Sequence, residues 1–137
     1  MSFRSRAIQF AGGHPIVAHN AAFDRRFWEN ETSALRPRPA SSFVCSLLLA
    51  RRRFPGTPNH KLATLVRSLG LPSAGAFHRA LADAECTANL FIRLQQEITR
   101  RYCIQECDSG LLEKIQRASR YQLDKCVRTY IRRALKG

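Results

Sequence analysis

IVAHNAAFDRRFW, residues 16–28, is the stretch on which the reading of this chain turns. Ile16-Val17-Ala18 is a short apolar run, and it predicts a buried strand from Pro15 to Ala18. Asn20 follows, whose side chain can accept a free first-turn N–H. It predicts a helix over 21–35, closed by Pro37 and Pro39. Asp24 falls in the first turn of that helix. Counting on by three, four and eleven residues gives Phe27, Trp28 and Leu35, so the carboxylate stands at the rim of an apolar stripe. A charge there is costly unless a cation compensates it. It also complements the positive end of the helix dipole, an effect worth about 0.3–1 kcal/mol that needs no ligand.

The scarcity of acids sharpens the question. The chain has 137 residues, with 23 Lys+Arg against 10 Asp+Glu and a formal net charge of +13. That balance suits a polyanionic partner, nucleic acid first, or a solvated basic surface. No acid precedes Asp24 and none lies between Glu31 and Asp83, whereas residues 32–82 carry eight Arg or Lys. Asp83 opens a second stripe: Thr87, Leu90, Leu94 and Ile98 follow at helical spacing. His78 stands five residues ahead, on the loop before that helix. There it can take a proton from water near neutral pH, or pack against Phe77, or cap the helix.

Outward from these two stretches, residues 3–11 read as a helix stopped by Gly12-Gly13. Residues 43–45 read as a second short strand, and 46–54 as a helix ending in Arg51-Arg52-Arg53. Asn59 predicts a helix over 60–69, closed by Gly70 and Pro72. Residues 72–77 form a loop, 79–104 a long helix, and 111–118 and 121–135 two more. On the last of these, Leu123, Val127, Tyr130, Ile131 and Leu135 share one face. The chain divides into residues 1–107 and a basic helical tail, 108–137. From 100 to 137 it carries ten basic residues against four acids. The five cysteines include no CxxC pair and suit free thiols in a reducing cytoplasm. Cys103 and Cys107 fall on a helix surface without partners for a zinc site. No run of about 20 apolar residues predicts a membrane span, and the start lacks the apolar core of a secretory signal.

Residues 16–28 resemble the second exonuclease motif of the DnaQ-like (DEDDh) 3′–5′ exonucleases, the family of the proofreading epsilon subunit of bacterial DNA polymerase III. HRALADAECTANLF, residues 78–91, resembles the third motif, H-x-A-x-x-D. FVCSLLLARRRFPGTPNHKLATLVRSLGLP, residues 43–72, is similar to the segment between them, and the resemblance covers about residues 3–98. It implies an α/β fold: the C-terminal part of a ribonuclease-H-like exonuclease domain, mostly helical here.

The resemblance also implies 3′–5′ hydrolysis of nucleic acid, DNA favoured, with two Mg²⁺ or Mn²⁺ ions. Asp24 and Asp83 match the metal ligands of the two motifs and His78 the general base. Phe23 matches the aromatic that packs the motif helix, with Phe27 beside it. Asn20 and Arg51, Arg52 and Arg53 are the candidates for contact with substrate, and a DNA polymerase is a candidate partner. The family's first motif, D-x-E, has no counterpart here, because no acid precedes Asp24. The expectation is a chain that starts inside the domain, after its first three strands. The alternative is a nucleic-acid-binding or polymerase-associated remnant that has lost its chemistry.

Overall fold

In a computed structural model, which describes residues 2–35, 42–73 and 80–137, helices dominate around a two-stranded sheet. Helix α1 (Phe3–Ala11) leads to β1 (Ile16–Ala18) and α2 (Ala21–Thr32). Strand β2 (Phe43–Cys45) runs directly into α3 (Ser46–Arg53), followed by α4 (Leu62–Ser68) and the long α5 (Ala80–Tyr102). Helix α6 (Ser109–Arg117), a single 3-10 turn (Arg120–Gln122) and α7 (Leu123–Lys136) complete the chain.

The strands pair in parallel, Val17 opposite Val44, and α2 lies in the connection between them. A parallel pair needs such a crossover, because a tight turn would reverse the direction. Side chains alternate across the sheet. Val44 enters the main core, while Phe43 and Cys45 pack with Ala21 of α2 in a smaller one. The outer edge of β2 is closed by a side chain rather than a strand. Gln116 of α6 donates through Nε2 to the Phe43 carbonyl at 3.1 Å and accepts the Cys45 N–H through Oε1 at 2.8 Å.

The main core joins Leu49 and Ala50 of α3, Leu65 of α4 and Leu90, Leu94 and Ile98 of α5. Leu111, Leu112 and Ile115 of α6 and Leu123 and Val127 of α7 belong to the same cluster, so the basic tail shares the core of residues 1–107. The α5 stripe is as its spacing predicts: Thr87, Leu90, Leu94 and Ile98 are all buried. Gly12 and Gly70, both at positive φ, end α1 and α4 where a side chain would strain the turn.

Several local expectations are corrected. Helix α2 stops at Thr32, short of Leu35, and Pro37 and Pro39 lie outside the described residues. Asn20 does not cap it through its side chain. It adopts a left-handed backbone (φ 70°, ψ 57°), and its carbonyl accepts the Phe23 N–H at 3.2 Å. Asn59 likewise turns the chain ahead of α4, its Oδ1 accepting the Lys61 N–H, and the helix begins only at Leu62.

Helix α5 spans 80–102, inside the expected 79–104. Cys103, at φ 52°, follows its end, and Cys107 is buried in the core rather than on a helix surface. Phe23 and Phe27 are each 64% exposed and do not anchor α2. Ala21, buried against Phe43 and Cys45, does so, with Trp28 partly buried beside it. Leu135 is exposed as well, because the contacts of α7 end nearer its start.

Candidate active site

Asp24 sits in the first turn of α2 and Asp83 in the first turn of α5. They are far apart in sequence, yet both line one groove of about 1110 Å³. Its walls come from the end of β1 (Val17, Ala18, His19), the start of α4 and the exposed face of α5, including Phe91 and Gln95. Parallel pairing and the α2 crossover bring the first turn of α2 to the end of β1, and α5 packs against β1 from the other side. Asp24 is exposed and Asp83 half-buried, so both carboxylates reach solvent within the groove.

His78 and the rest of 74–79 lie outside the described residues. Asn20 is exposed but does not line the groove, and neither do Arg51, Arg52 and Arg53. Two of the three arginines have internal partners. Arg52 donates to the carbonyls of Ala118 (2.7 Å), Gln116 (3.0 Å) and Leu48 (3.2 Å), tying α3 to the end of α6. Arg53 pairs with Glu97 at 2.7 Å and stacks on Phe54. Burial raises the Glu97 pKa, but Arg93, Arg53 and Arg100 outweigh it and hold the carboxyl below its ordinary value. Only Arg51 of the trio points its charge to solvent without a hydrogen bond among the described residues.

His19 is the best-held polar residue of the groove wall. Its Nε2–H donates to the His60 carbonyl at 2.7 Å, and its Nδ1 meets the Ser46 hydroxyl at 2.9 Å. His60 in turn donates from Nε2 to the Phe54 carbonyl at 2.8 Å. The chain His19–His60–Phe54 thus staples the end of β1 to the loop that carries Lys61, the cation on the groove wall. Sequence reasoning reads His60 as a helix-start residue without a catalytic role and assigns none to Lys61 or Gln116. The pattern NHKL ahead of a helix was the available signal for the first two, but the bond from His19 to the His60 carbonyl joins residues distant in sequence.

Burial lowers the His19 pKa from 6.5. The His60 carbonyl opposes this, and the charges of His60 and Arg51 add to it. The unfolded imidazole therefore takes up a proton before the folded one does. Stability from this network is present above the unfolded pKa and is lost as pH falls toward the folded one. Thermal midpoints between about pH 7 and 5 are expected to fall more steeply for wild type than for His19→Gln. Equal slopes in the two proteins would dismiss the network as a source of acid sensitivity.

Two hard carboxylate oxygen donors on one groove fit Mg²⁺ or Mn²⁺ in kind and supply part of a donor set. Among the described residues, no three His, Cys, Asp or Glu side chains converge as a metal cluster.

The parallel strand pair and its helical crossover belong to an exonuclease domain of α/β, ribonuclease-H-like architecture, mostly helical here. The Exonuclease (RNase T) family profile matches residues 3–91, and the chain belongs to that family. It is 33% identical over 98 residues to the DNA polymerase III subunit epsilon of Aquifex aeolicus, covering 71% of this chain and 48% of that protein. It is 30% identical over 109 residues to the PolC-type DNA polymerase III of Caldanaerobacter subterraneus, covering 78% of this chain and 8% of that one.

Among solved structures, exonuclease X in complex with 5′ overhanging duplex DNA superposes with a TM-score of 0.58 at 26% identity. The match covers 82% of this chain and 61% of that one. The chain thus spans about half the length of the epsilon relative. Among the described residues, no helix is long and apolar enough to cross a membrane.

Proposed function

We propose that the chain is part of a 3′–5′ exonuclease that hydrolyses phosphodiester bonds from the 3′ end of single-stranded nucleic acid, DNA favoured, in association with a DNA polymerase. The observation that carries this reading is the meeting of Asp24 and Asp83 in one groove. The family membership and the polymerase relatives support it.

In this reading Asp24 and Asp83 hold Mg²⁺ or Mn²⁺. The bound dications supply Lewis-acid activation of water and neutralise charge developing on the phosphoryl group. His78, two residues ahead of Ala80 in sequence, accepts the proton of the attacking water. Lys61 on the groove wall and Arg51 on α3 offer charge to substrate phosphates, and Asn20, exposed at the entry to α2, is placed to touch the strand. The family's other two carboxylates come from a D-x-E strand. Among the described residues the outer edge of β1 carries no strand, while that of β2 is closed by Gln116. A D-x-E strand pairing with β1 would lie beside the groove.

A second reading, a nucleic-acid-binding remnant without chemistry, is favoured by one observation. The described groove residues include two carboxylates, half of the family's set. One assay separates the two. Single-stranded DNA labelled at its 5′ end is incubated with the complete protein and Mg²⁺. The expected result is a ladder shortening from the 3′ end that chelator abolishes and that His78→Ala slows by about 10²–10⁴-fold. Binding without cleavage would establish the remnant. Loss of the 5′ label ahead of shortening would reverse the polarity.

A further inference from the structure

A second concavity, of about 530 Å³, lies between α6 and α7 and shares no lining residue with the carboxylate groove. One wall is a stripe that runs from Gln122 of the 3-10 turn along α7: Lys125 with Cys126, Thr129 with Tyr130, and Arg133 with Ala134. Lys114 of α6 and Ala118 just past its end face that stripe. The charged residues that line it are Lys114, Lys125 and Arg133, and no carboxylate does. None of the three forms an ion pair among the described residues. By contrast, Arg4, Arg93, Arg100 and Arg101 of other helices each have an acidic partner.

The walls are held in place. Asp108 caps α6, accepting the Leu111 N–H at 2.8 Å, and also accepts the Tyr130 hydroxyl at 2.9 Å. The Tyr130 oxygen passes so close to Gly110 that a Cβ there would lie 2.7 Å from it, so a larger residue at 110 would displace the end of the Tyr130 side chain. The α6–α7 pair is therefore a fixed frame rather than a floppy basic tail.

We propose that this groove is a second nucleic-acid contact, taking the phosphates of a strand on Lys114, Lys125 and Arg133. Three like charges around a concavity raise the local concentration of a polyanion, and no carboxylate shares its lining. Gln122 and Thr129 add neutral donors of the kind that bond phosphate and sugar oxygens. Both walls are helices whose backbone groups are bonded internally, so the groove offers side-chain donors and no strand edge. A phosphate backbone needs only the former, whereas an extended acidic peptide pairs through its main chain. The proposal rests on the reading of the chain as acting on nucleic acid, but its test needs no catalysis.

The test measures fluorescence anisotropy of single-stranded oligonucleotide binding to the whole chain, in chelator, over a series of salt concentrations. Lys114→Gln, Lys125→Gln and Arg133→Gln are combined in one variant. Arg128→Gln, Arg132→Gln and Lys136→Gln are combined in another, which removes the same charge outside the groove. The groove variant is expected to lower the slope of log affinity against log salt by about 0.7 for each phosphate it no longer neutralises, about 2 in all, and the control variant by much less. Equal changes in both variants, or none in the groove variant, would overturn the proposal. If wild type binds no oligonucleotide at all, the nucleic-acid reading itself fails. A wild-type slope untouched by the groove variant removes the groove alone.

Discussion

Asp83→Ala in the complete protein is expected to lower exonuclease turnover by at least about 10²-fold, the scale of removing one preorganised charge interaction, and Asp24→Ala by a similar factor. The argument is positional. Each carboxylate opens a helix whose first turn meets the groove, and each keeps solvent access there. Asp83→Asn and Asp24→Asn keep the shape and remove the charge, so they should lose activity while circular dichroism and thermal midpoint stay near wild type. Full activity in either alanine variant would remove that residue from the metal site. Loss of activity together with loss of fold would mean a structural role instead.

Deletion of residues 108–137 is expected to unfold the chain. Leu111, Leu112, Ile115, Leu123 and Val127 are all buried in the main core. At roughly 1.5–3 kcal/mol for each buried side chain, they contribute on the order of 7–15 kcal/mol. That matches the entire net stability of a typical domain, about 5–15 kcal/mol. The deletion also strips Gln116 from the edge of β2 and removes the Gln116 and Ala118 carbonyls from Arg52. A milder probe is Leu112→Ala, expected to cost about 2–5 kcal/mol in urea denaturation. A deleted chain that still unfolds cooperatively near the wild-type midpoint would show that α6 and α7 are an appendage. For the same reason, the salt-dependence test of the tail uses point substitutions that leave the core intact.

Much of this was legible in the sequence because its signals are local. The apolar run at 16–18, the alternation of apolar stripe and charge on α5, and the glycines at 12 and 70 each dictate backbone within a few residues. The motif stretches around Asp24 and Asp83 placed the chain with exonucleases before any tertiary contact was known. Local reading failed where the deciding partner is remote. Asn20 looks like a side-chain cap, but the tight step from β1 into α2 demands a left-handed residue, and asparagine meets that demand with its backbone. Phe23 and Phe27 look like core by hydrophobicity alone, yet the face of α2 that carries them is not covered by the described chain.

By itself, then, the sequence determined the elements and their order, because short-range sterics and hydrophobic periodicity suffice for those, while the family came from the resemblance of residues 16–28 and 78–91 to two exonuclease motifs. Only the tertiary structure decided that Asp24 and Asp83 share a groove, that Arg52 and Arg53 serve the scaffold, and that α6 and α7 belong to the core. It alone showed Gln116 standing in for a strand. These are contacts between residues distant along the chain, and burial and hydrogen-bond satisfaction select them only when the whole core closes.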